Sequence, residues 1–391
     1  MALAVRSDTS SDAVVIGAGM IGAACALALV RAGLSVAVLD QGPVGGGTTG
    51  AGEGNLLVSD KIPGPELDLA LRSLALWRDL AEEFGDVFEY ETKGGLIVAR
   101  DGDELNALRE LAATQSAFQV QAEEVDPVGM RTLEPHISSG LAGGVYYPQD
   151  AQVMPTLAAA HLLRAAKQSG ARLHTGSPVT KISLTANGSV CAVETPTVRI
   201  STPCVINATG VSAGEVAALA GGYVPVQPRR GFILVTSPQP LLVRHKVYAA
   251  AYVSDVASSE ASLQTSAVVE STKAGTILIG ASRERVGFDR TMSVPALRRL
   301  AAQAVDLFPA LAGVDVIRAY CGFRPYLPDH LPAIGPDPRV PGLFHACGHE
   351  GAGIGLAPAT GELIAHLVTG AAGTVDPRPF DPARFTPGGD S

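Results

Sequence analysis

The clearest pattern of apolar and polar residues lies in the first forty positions. Residues 13–16 are an apolar, β-branched run of the kind that forms a buried parallel strand, and a glycine-rich turn follows directly. The apolar spacing of residues 20–32 predicts a helix that ends at Gly33, and residues 35–39 predict a second buried strand. The pattern therefore predicts one complete βαβ unit, which ends in the acidic residue Asp40.

The same periodicities divide the rest of the chain into helices and strands. Helical spacing predicts helices at residues 65–84, 101–118, 155–167 and 294–308, and a closing helix with Pro358 in its first turn. Alternating or short apolar runs predict strands at residues 88–90, 94–99, 144–147, 171–184, 189–200, 204–206 and 232–236, and two more within 267–280. The proline density of residues 320–335 excludes a helix and predicts a rigid, specifically shaped connection.

Composition and charge restrict the class of protein. With 47% hydrophobic and 17% charged residues among 391, the chain has the composition of a globular protein, and its length favours two domains. A net charge of −9 argues against nucleic acid as a partner. No apolar run is long enough to span a bilayer, the N-terminal residues do not resemble a signal peptide, and the five cysteines lack metal-ligand spacing. We therefore expect a cytoplasmic protein without a metal site or a membrane span.

The glycine-rich turn after the first strand carries candidate chemistry. Gly17 allows the tight turn, Gly19 lets the backbone approach a pyrophosphate, and Gly22 lets the helix pack against the strand. Asp40 would accept hydrogen bonds from ribose hydroxyls. The dinucleotide-binding residues predicted from this unit are Gly17, Gly19, Met20, Ile21, Gly22, Asp40 and Gln41. The alternative is an accidental glycine-rich turn, and the motif alone does not choose between NAD and FAD.

Two later stretches are also rich in glycine. Seven of the fifteen residues 41–55 are glycine, which suits either a flexible linker or a backbone that lies against a ligand. Their position directly after the ribose-binding acid favours the ligand. A second glycine-rich loop begins at Gly348 and leads into the closing helix.

Several ordered motifs together resemble the FAD-dependent amine and D-amino-acid oxidase (DAO) superfamily. They are residues 17–22 with Asp40, residues 205–210, residues 228–231, Arg324-Pro325 with residues 329–335, and residues 348–361. The chain is most similar to the branch that holds glycine oxidase, sarcosine oxidase and the flavin subunits of D-hydroxyproline and opine dehydrogenases. The resemblance covers nearly the whole chain. It implies an α/β fold, with a Rossmann-like FAD-binding domain and an α+β substrate domain built on a mostly antiparallel sheet.

The resemblance also implies how FAD is held. The backbone near Val179 would grip the adenine side, residues 46–49 would lie beside the pyrophosphate and flavin ring, and residues 351–356 would border the flavin pyrimidine. The further cofactor-binding residues are Gly46, Gly47, Thr48, Thr49, Val179, Ala208, Gly210, Arg324, Gly351, Ala352, Gly353, Ile354 and Gly355. Independently of the family, a helix N-terminus at the pyrimidine would stabilise the anionic reduced flavin. The alternative for this loop is an ordinary surface helix cap.

Two departures from the family's pattern concern the flavin chemistry. Sarcosine oxidases attach flavin through a cysteine, but the matching position here is Gly322, and Cys321 lies one residue away. We therefore expect non-covalent FAD. The lysine with which those enzymes activate oxygen aligns with Leu278, so either oxygen or a redox partner would be the electron acceptor.

The resemblance implies a substrate site around one arginine. Arg324 corresponds to the arginine that binds the substrate carboxylate, and a guanidinium suits this role because it forms two parallel hydrogen bonds to a carboxylate. A structural ion pair is the alternative. Tyr248 and Tyr252 lie where the family places active-site tyrosines, with core packing as the alternative. His349 would line the flavin or orient the closing loop, and the same alternatives stay open for His330.

The expected reaction follows from the resemblance. We expect a discontinuous FAD-binding domain, residues 1–85, 151–220 and 330–391, and a substrate domain, residues 86–150 and 221–329. The protein would oxidise the C–N bond of glycine, an N-substituted glycine, a D-amino acid or a proline-like imino acid by hydride transfer to flavin N5. A neutral amine would need no general base. The alternatives are the flavin subunit of a multi-subunit amino-acid dehydrogenase and a FAD-dependent aromatic monooxygenase; a homo-oligomer and a hetero-complex both stay open.

Overall fold

The computed structural model describes residues 6–256 and 258–386. The strands are β1 (Arg6–Ser10), β2 (Ala13–Ile16), β3 (Val36–Leu39), β4 (Asn55–Leu56), β5 (Gly95–Ala99), β6 (Glu123–Val125), β7 (Gly143–Tyr147), β8 (Ala151–Gln152), β9 (Arg172–His174), β10 (Lys181–Leu184), β11 (Val190–Glu194), β12 (Val198–Ser201), β13 (Val205–Asn207), β14 (Gln227–Thr236), β15 (Lys246–Ala249), β16 (Gln264–Ser271), β17 (Ile277–Arg283), β18 (Val316–Tyr326), β19 (Ala333–Pro336) and β20 (Leu343–Cys347). The α-helices are α1 (Met20–Arg31), α2 (Pro65–Phe84), α3 (Gly102–Ser116), α4 (Pro127–Leu133), α5 (Pro155–Gln168), α6 (Ala213–Ala218), α7 (Ala251–Val256), α8 (Val294–Leu307) and α9 (Gly353–Thr369). Among the described residues, no helix has the length and apolar character needed to cross a membrane.

A six-stranded sheet with the order β19-β20-β13-β2-β3-β9 forms the first layer of the fold. Its neighbouring strands are parallel except for the pair β19 and β20. Val14 and Ile16 of β2 pack with a four-stranded sheet (β1-β12-β11-β10), whereas Ala13 and Val15 pack with α1, α5 and α9. Both faces of β2 are therefore buried, as its unbroken apolar run predicts. The predicted unit β2-α1-β3 is confirmed.

Helices α1 and α9 cross at very short range. A Cβ atom at Gly361 of α9 would lie 2.6 Å from the carbonyl oxygen of Ala24 in α1, so glycine is required for this approach. The crossing holds α9 against the β2-α1-β3 unit, and the first turn of α9 borders the cleft described below.

The strand-rich middle of the chain forms an eight-stranded sheet with the order β18-β14-β17-β16-β15-β5-β7-β6. Its neighbouring strands are antiparallel except for the pair β15 and β5. Helix α8 covers one face and buries Ala296, Leu300 and Leu307 in a cluster with Phe232 and Ile279. The predicted fold class, a Rossmann-like α/β part with a mostly antiparallel second sheet, is confirmed.

The two large sheets divide the sequence in the way a discontinuous domain would. The strands of the eight-stranded sheet lie within residues 86–150 and 221–329, and those of the six-stranded sheet lie outside these ranges. The domain boundaries themselves stay a prediction.

Three local predictions were wrong, at residues 320–335, at residues 88–90 and at Pro358. Residues 320–335 were predicted to form an irregular connection, but residues 320–326 are the last part of strand β18, which contains Pro325. Strand β18 tolerates a proline because it is the edge strand of its sheet, where a missing N–H leaves no ladder partner unsatisfied. Residues 88–90 are not a strand: a 3₁₀ turn, Asp86–Phe88, is followed by Glu89 in a left-handed conformation with φ of 53°.

Pro358 lies in the interior of α9 and not in its first turn, because the helix already begins at Gly353. A proline at this position cannot donate a hydrogen bond to the carbonyl group one turn earlier. The indole N–H of Trp77, in α2, lies 3.2 Å from the carbonyl oxygens of both Ile354 and Gly355. Trp77 thus provides a donor for the carbonyl oxygen of Ile354, which the proline leaves free, and the helix continues through Pro358.

Candidate cofactor and substrate site

The turn between β2 and α1 is shaped by its glycines. Gly17 has φ of 112°, and a Cβ atom there would overlap the carbonyl group of Ala208. A Cβ atom at Gly22 would overlap the carbonyl oxygen of Gly17. Gly19 caps α1 without a side-chain hydrogen bond, and the first turn holds no acidic residue. N–H groups at this helix end therefore suit an anionic ligand.

The loop after β3 folds back onto the start of α1. Thr49 Oγ1 accepts a hydrogen bond from the N–H of Met20 at 2.9 Å. The Thr48 hydroxyl donates to the carbonyl oxygen of Phe323, in β18, at 2.7 Å. The loop thus links the helix end to the edge of the eight-stranded sheet. The exposed residues among those predicted here are Gln41, Gly46 and Gly47.

Asp40 follows directly after β3, and its carboxylate holds the glycine-rich turn. Oδ2 accepts from the N–H of Ala18 at 2.6 Å, and Oδ1 accepts from the N–H of Gly42 at 2.7 Å. The N–H of Ser177 donates to the carbonyl oxygen of Asp40 at 2.8 Å, which brings the segment with Val179 beside it. Each carboxylate oxygen keeps a second lone pair, so a ribose contact by Asp40 stays a prediction.

Strand β13 ends at the same edge. The N–H of Ala208 donates to the carbonyl oxygen of Ile16 at 2.9 Å, and Gly210 has φ of 59°. A Cβ atom at Gly210 would lie 3.8 Å from Thr48 Oγ1. Ile21 is partly buried and packs on the core side of α1. The carboxyl ends of β2, β3 and β13 thus meet at one crevice, the usual ligand position in an open parallel sheet.

A cleft lies between the N-terminus of α9, residues 55–61 and α7. Ala352 caps α9 without a side-chain hydrogen bond, Gly353 and Ile354 follow in its first turn, and this turn holds no acid. A Cβ atom at Gly355 would lie 3.3 Å from the carbonyl oxygen of Asn55. The residues that line the cleft are Asn55, Leu57, Asp60, Lys61, Tyr252, Gly351, Ala352, Gly355 and Leu356.

His349 is buried beneath the closing loop and is not among the residues that line the cleft. Its Nε2 lies 3.0 Å from Thr360 Oγ1, and the Thr360 hydroxyl donates to the carbonyl oxygen of Leu356. Burial lowers the pKa of His349 to about 3, so the imidazole is neutral near pH 7. These contacts give His349 the loop-orienting position, the second of its two predicted alternatives.

Glu350 fastens the closing loop to the eight-stranded sheet. Its Oε1 lies 2.6 Å from Nη1 of the fully buried Arg229, and its Oε2 lies 3.2 Å from Nδ1 of His330. Burial opposes ionisation of Glu350, but the His330 hydrogen bond and the Arg229 charge outweigh it and lower the pKa of Glu350 to about 2. The structural ion pair in this region is therefore made by Arg229.

Arg324 has a different environment. Its Nη1 donates to the carbonyl oxygen of Ser282 at 2.8 Å, and its guanidinium fits above Gly231 because that residue has no side chain. No carboxylate of the described residues lies within 4.0 Å of it. Burial and the charge of Arg283 lower the pKa of Arg324. A Cβ atom at Gly351, in the cleft, would lie 3.7 Å from Nε of Arg324. The arginine thus lies beside Gly351 of the cleft and has no ion-pair partner among the residues that the structure describes.

The two predicted tyrosines, Tyr248 and Tyr252, contact each other, and of the two Tyr252 lines the cleft. Tyr248 and Tyr252 pack edge to face with ring centroids 5.2 Å apart. Tyr252 lines the cleft beneath the guanidinium of Arg283, 5.1 Å from its ring centroid. Tyr248 is fully buried and hydrogen-bonded to Ser59, so it has the core position that was its alternative. A substrate contact by Tyr252 stays a prediction.

A buried cluster of charged side chains next to the cleft was missed by the sequence analysis. Lys246 Nζ lies 2.7 Å from Glu270 Oε2 and 3.9 Å from Glu53 Oε2. Asn55, which lines the cleft, donates from Nδ2 to Glu53 Oε2 at 3.1 Å. The available signal was that Glu53 is the single acidic residue within the glycine-rich residues 41–55.

The backbone features of the site fit an extended, phosphate-containing cofactor. Two helices, α1 and α9, begin at glycine-rich turns whose N-cap residues supply no side-chain hydrogen bond, and several glycines have no space for a Cβ atom. Uncapped N–H groups and close backbone approach are what phosphate and anionic ring oxygens require.

Comparisons with known proteins agree on one family. The family model described as FAD dependent oxidoreductase (DAO) matches residues 12–367. The chain is 30% identical to the hydrogen cyanide synthase subunit HcnC of Pseudomonas aeruginosa, an alignment that covers 96% of each chain. The crystal structure of glycine oxidase from Geobacillus kaustophilus matches with a TM-score of 0.87 and 27% identity over 97% of this chain and 100% of that one. The structure of L-proline dehydrogenase from P. horikoshii also gives 0.87, with 26% identity over 96% and 98%.

Proposed function

The chain belongs to the DAO family of FAD-dependent oxidoreductases, and on this premise we propose that it oxidises the C–N bond of an amino or imino acid. One observation carries the substrate class. Arg324 lies beside Gly351 of the cleft with no carboxylate of the described residues in ion-pair distance, whereas nearby Arg229 is ion-paired with Glu350. A substrate carboxylate would complete the Arg324 site with two parallel hydrogen bonds.

In this proposal the α1 turn holds the FAD pyrophosphate, Asp40 the ribose, the backbone near Val179 the adenine side, and the start of α9 the flavin pyrimidine. FAD supplies a hydride acceptor when bound. Arg324 orients the substrate by its carboxylate, and Tyr252 closes one side of the cleft against water. The neutral imidazole of His349 keeps the closing loop in place and adds no charge there.

The position of Cys321 supports non-covalent FAD. Cys321 pairs with Phe232 in the β14–β18 ladder and packs with the cluster beneath α8. Successive residues of a strand point to opposite faces, so Gly322 and Arg324 face the other way. The cysteine is thus directed away from the cleft.

A second candidate function is that of a flavin subunit within a dehydrogenase complex. The observation that favours it is the similarity, over nearly the full length of both chains, to a protein whose name describes it as a subunit. In that case the isolated chain would still be reduced by its substrate, and a redox partner would accept the electrons in place of oxygen.

The test is anaerobic mixing of the FAD-loaded protein with a panel of glycine, N-methylglycines, D- and L-amino acids, both prolines and opines. We expect at least one member to bleach the flavin absorbance and to yield the corresponding imine or oxo acid in equal amount. Bleaching without turnover in air would favour the subunit of a complex. A flavin that no panel member reduces, but NADPH does, would contradict the proposal in favour of a monooxygenase.

A further inference from the structure

We propose that Glu53 binds the substrate nitrogen: its carboxylate accepts a hydrogen bond from the ammonium group of an amino or imino acid whose carboxylate is held by Arg324. This inference rests on the proposed function and adds a second anchor, of opposite charge, to the same pocket. The ligand class is therefore a zwitterionic amino or imino acid, and a hydroxy or alkoxy acid of the same shape would lack one of the two contacts.

The charges of the buried cluster are unbalanced without such a ligand. Glu53 and Glu270 are both buried, and Lys246 is the cation between them. Lys246 lies 2.7 Å from Glu270 but 3.9 Å from Glu53, so its closest ion pair is with Glu270. The next lysine, Lys93, has its own acid partner, Glu91, at 3.8 Å. Glu53 therefore shares Lys246 with a closer carboxylate, and the other cation that acts on it, Arg324, makes no ion pair with it among the described residues, so a further cation or a proton would stabilise this buried carboxylate.

One carboxylate oxygen of Glu53 lacks a hydrogen-bond donor among the described residues. Oε2 accepts from Asn55, but Oε1 has no hydrogen-bond partner in the part of the chain that the structure describes, although Glu53 is only 9% exposed. Asn55 lines the cleft, so the carboxylate is attached to the cleft wall. A buried carboxylate oxygen without a donor is costly unless a ligand supplies one.

Glu53 and Arg324 lie over the same face of the eight-stranded sheet. A Cβ atom at Gly280 of β17 would overlap Oε1 of Glu53, so the carboxylate lies directly on that glycine. Arg324 donates to the carbonyl oxygen of Ser282, two residues further along β17, and lies over Gly231 of the adjacent strand. The charge of each side chain acts on the pKa of the other, although no ion pair within 4.0 Å joins them among the described residues, so the two opposite charges are neighbours. This arrangement matches the two ends of a small zwitterion.

The carboxylate also suits proton transfer from the bound ammonium. The charged and titratable groups that face Glu53 are Lys246, Glu270, Arg324, Tyr252 and Tyr320. Burial raises the pKa of Glu53 in spite of the charge of Lys246, which makes the carboxylate a stronger proton acceptor. One N–H bond of the ammonium would break, an O–H bond would form on Glu53, and the electron pair would stay on nitrogen. The free lone pair can then assist loss of the hydride.

The test compares pairs of ligands that differ only in nitrogen or oxygen: glycine with glycolate, sarcosine with methoxyacetate, and proline with tetrahydro-2-furoate. Binding to the FAD-loaded protein is measured by the flavin spectrum, or from the saturation of the anaerobic reduction rate. Because a charged hydrogen bond is lost, Glu53→Gln should weaken the best amine about tenfold or more and its oxygen partner less than about threefold. Glu53→Asp withdraws the carboxylate by one methylene group. Its affinity for the amine should therefore lie between those of wild type and Glu53→Gln.

Glu91→Gln is the matched control, because it removes a carboxylate that pairs with Lys93 and is not among the charges that act on Glu53, so the ratio between amine and oxygen ligands should not change. FAD content and melting temperature show whether each variant is folded. An unchanged ratio in folded Glu53→Gln, with the flavin still reduced by an amino acid, would overturn this inference and leave the proposed function intact. If no amino or imino acid of the full panel reduces the flavin of the wild type, the proposed function fails as well.

Discussion

Arg324, which is partly buried, and Arg229, which is fully buried, are two arginines for which the structure predicts opposite losses. Arg324 makes one hydrogen bond, to a carbonyl oxygen, and has no described acid partner, so Arg324→Ala should cost only about 1 kcal/mol of stability. Its loss should appear in catalysis: removing one partner of a desolvated charge pair costs about 2–5 kcal/mol, which lowers kcat/KM roughly 30-fold to several thousand-fold. Arg324→Lys keeps the charge without the two parallel hydrogen bonds and should recover only part of this loss.

Arg229 is the matched control. Its guanidinium is 2.6 Å from Glu350, and Arg229→Ala leaves that buried carboxylate without its cation, which should cost about 3–5 kcal/mol of stability. Arg318 lies on the same strand as Arg324, is exposed, and should change neither property when replaced by alanine. The assay is steady-state kinetics with the best substrate and with its amide in place of the carboxylate. If wild type and Arg324→Ala discriminate against the amide equally, Arg324 does not bind the carboxylate and the argument fails.

Three further predictions concern the cofactor site and the closing loop. Gly19→Val should release FAD while the protein stays folded, because the nearest atom to a Cβ at Gly19 is the Thr49 hydroxyl oxygen at 3.1 Å. Gly22→Ala should also lower the melting temperature, because a Cβ at Gly22 overlaps backbone atoms. Equal melting curves for the two variants would refute this contrast. Asp40→Ala should weaken FAD retention, measured by dialysis and flavin absorbance, and unchanged affinity would move the ribose contact elsewhere. The pKa of His349 is about 3 in the folded protein against an ordinary value near 6.5, so the native state binds fewer protons than the unfolded state. The free energy of unfolding should therefore fall as the pH drops below 6.5, by about 2 kcal/mol at pH 5. In denaturant titrations, His349→Gln should reduce this dependence on pH.

Local sequence patterns were sufficient for the cofactor end of the molecule. The βαβ unit places its strand, glycine turn, helix and acid within one continuous stretch, and each residue type has a local reason to be there. The structure then brought the distant residues Ala208 and Gly210 to the same edge, as expected for parallel strands whose carboxyl ends meet. Pro358 could not be placed correctly, because the groups that compensate for it come from another helix.

The substrate end depends on long-range pairing that the sequence does not display. Arg324 was found through the family motif, but the space for it is made by Gly231 on the neighbouring strand. Glu53 acquires its environment from Gly280 and from Lys246 on two other strands. Neither contact can be derived without the register of the eight-stranded sheet, so the sequence indicated an acid in a glycine-rich loop and not its role.

The central claim is that the FAD-loaded chain removes a hydride from the carbon next to nitrogen in an amino or imino acid. Anaerobic stopped-flow reduction with the best substrate, in ordinary and α-deuterated form, tests it most directly. We predict complete bleaching of the flavin, one equivalent of imine or oxo acid per flavin, and slower reduction with the deuterated substrate. A flavin that stays oxidised with every amino and imino acid tested, in protein that is folded and loaded with FAD, would contradict the account.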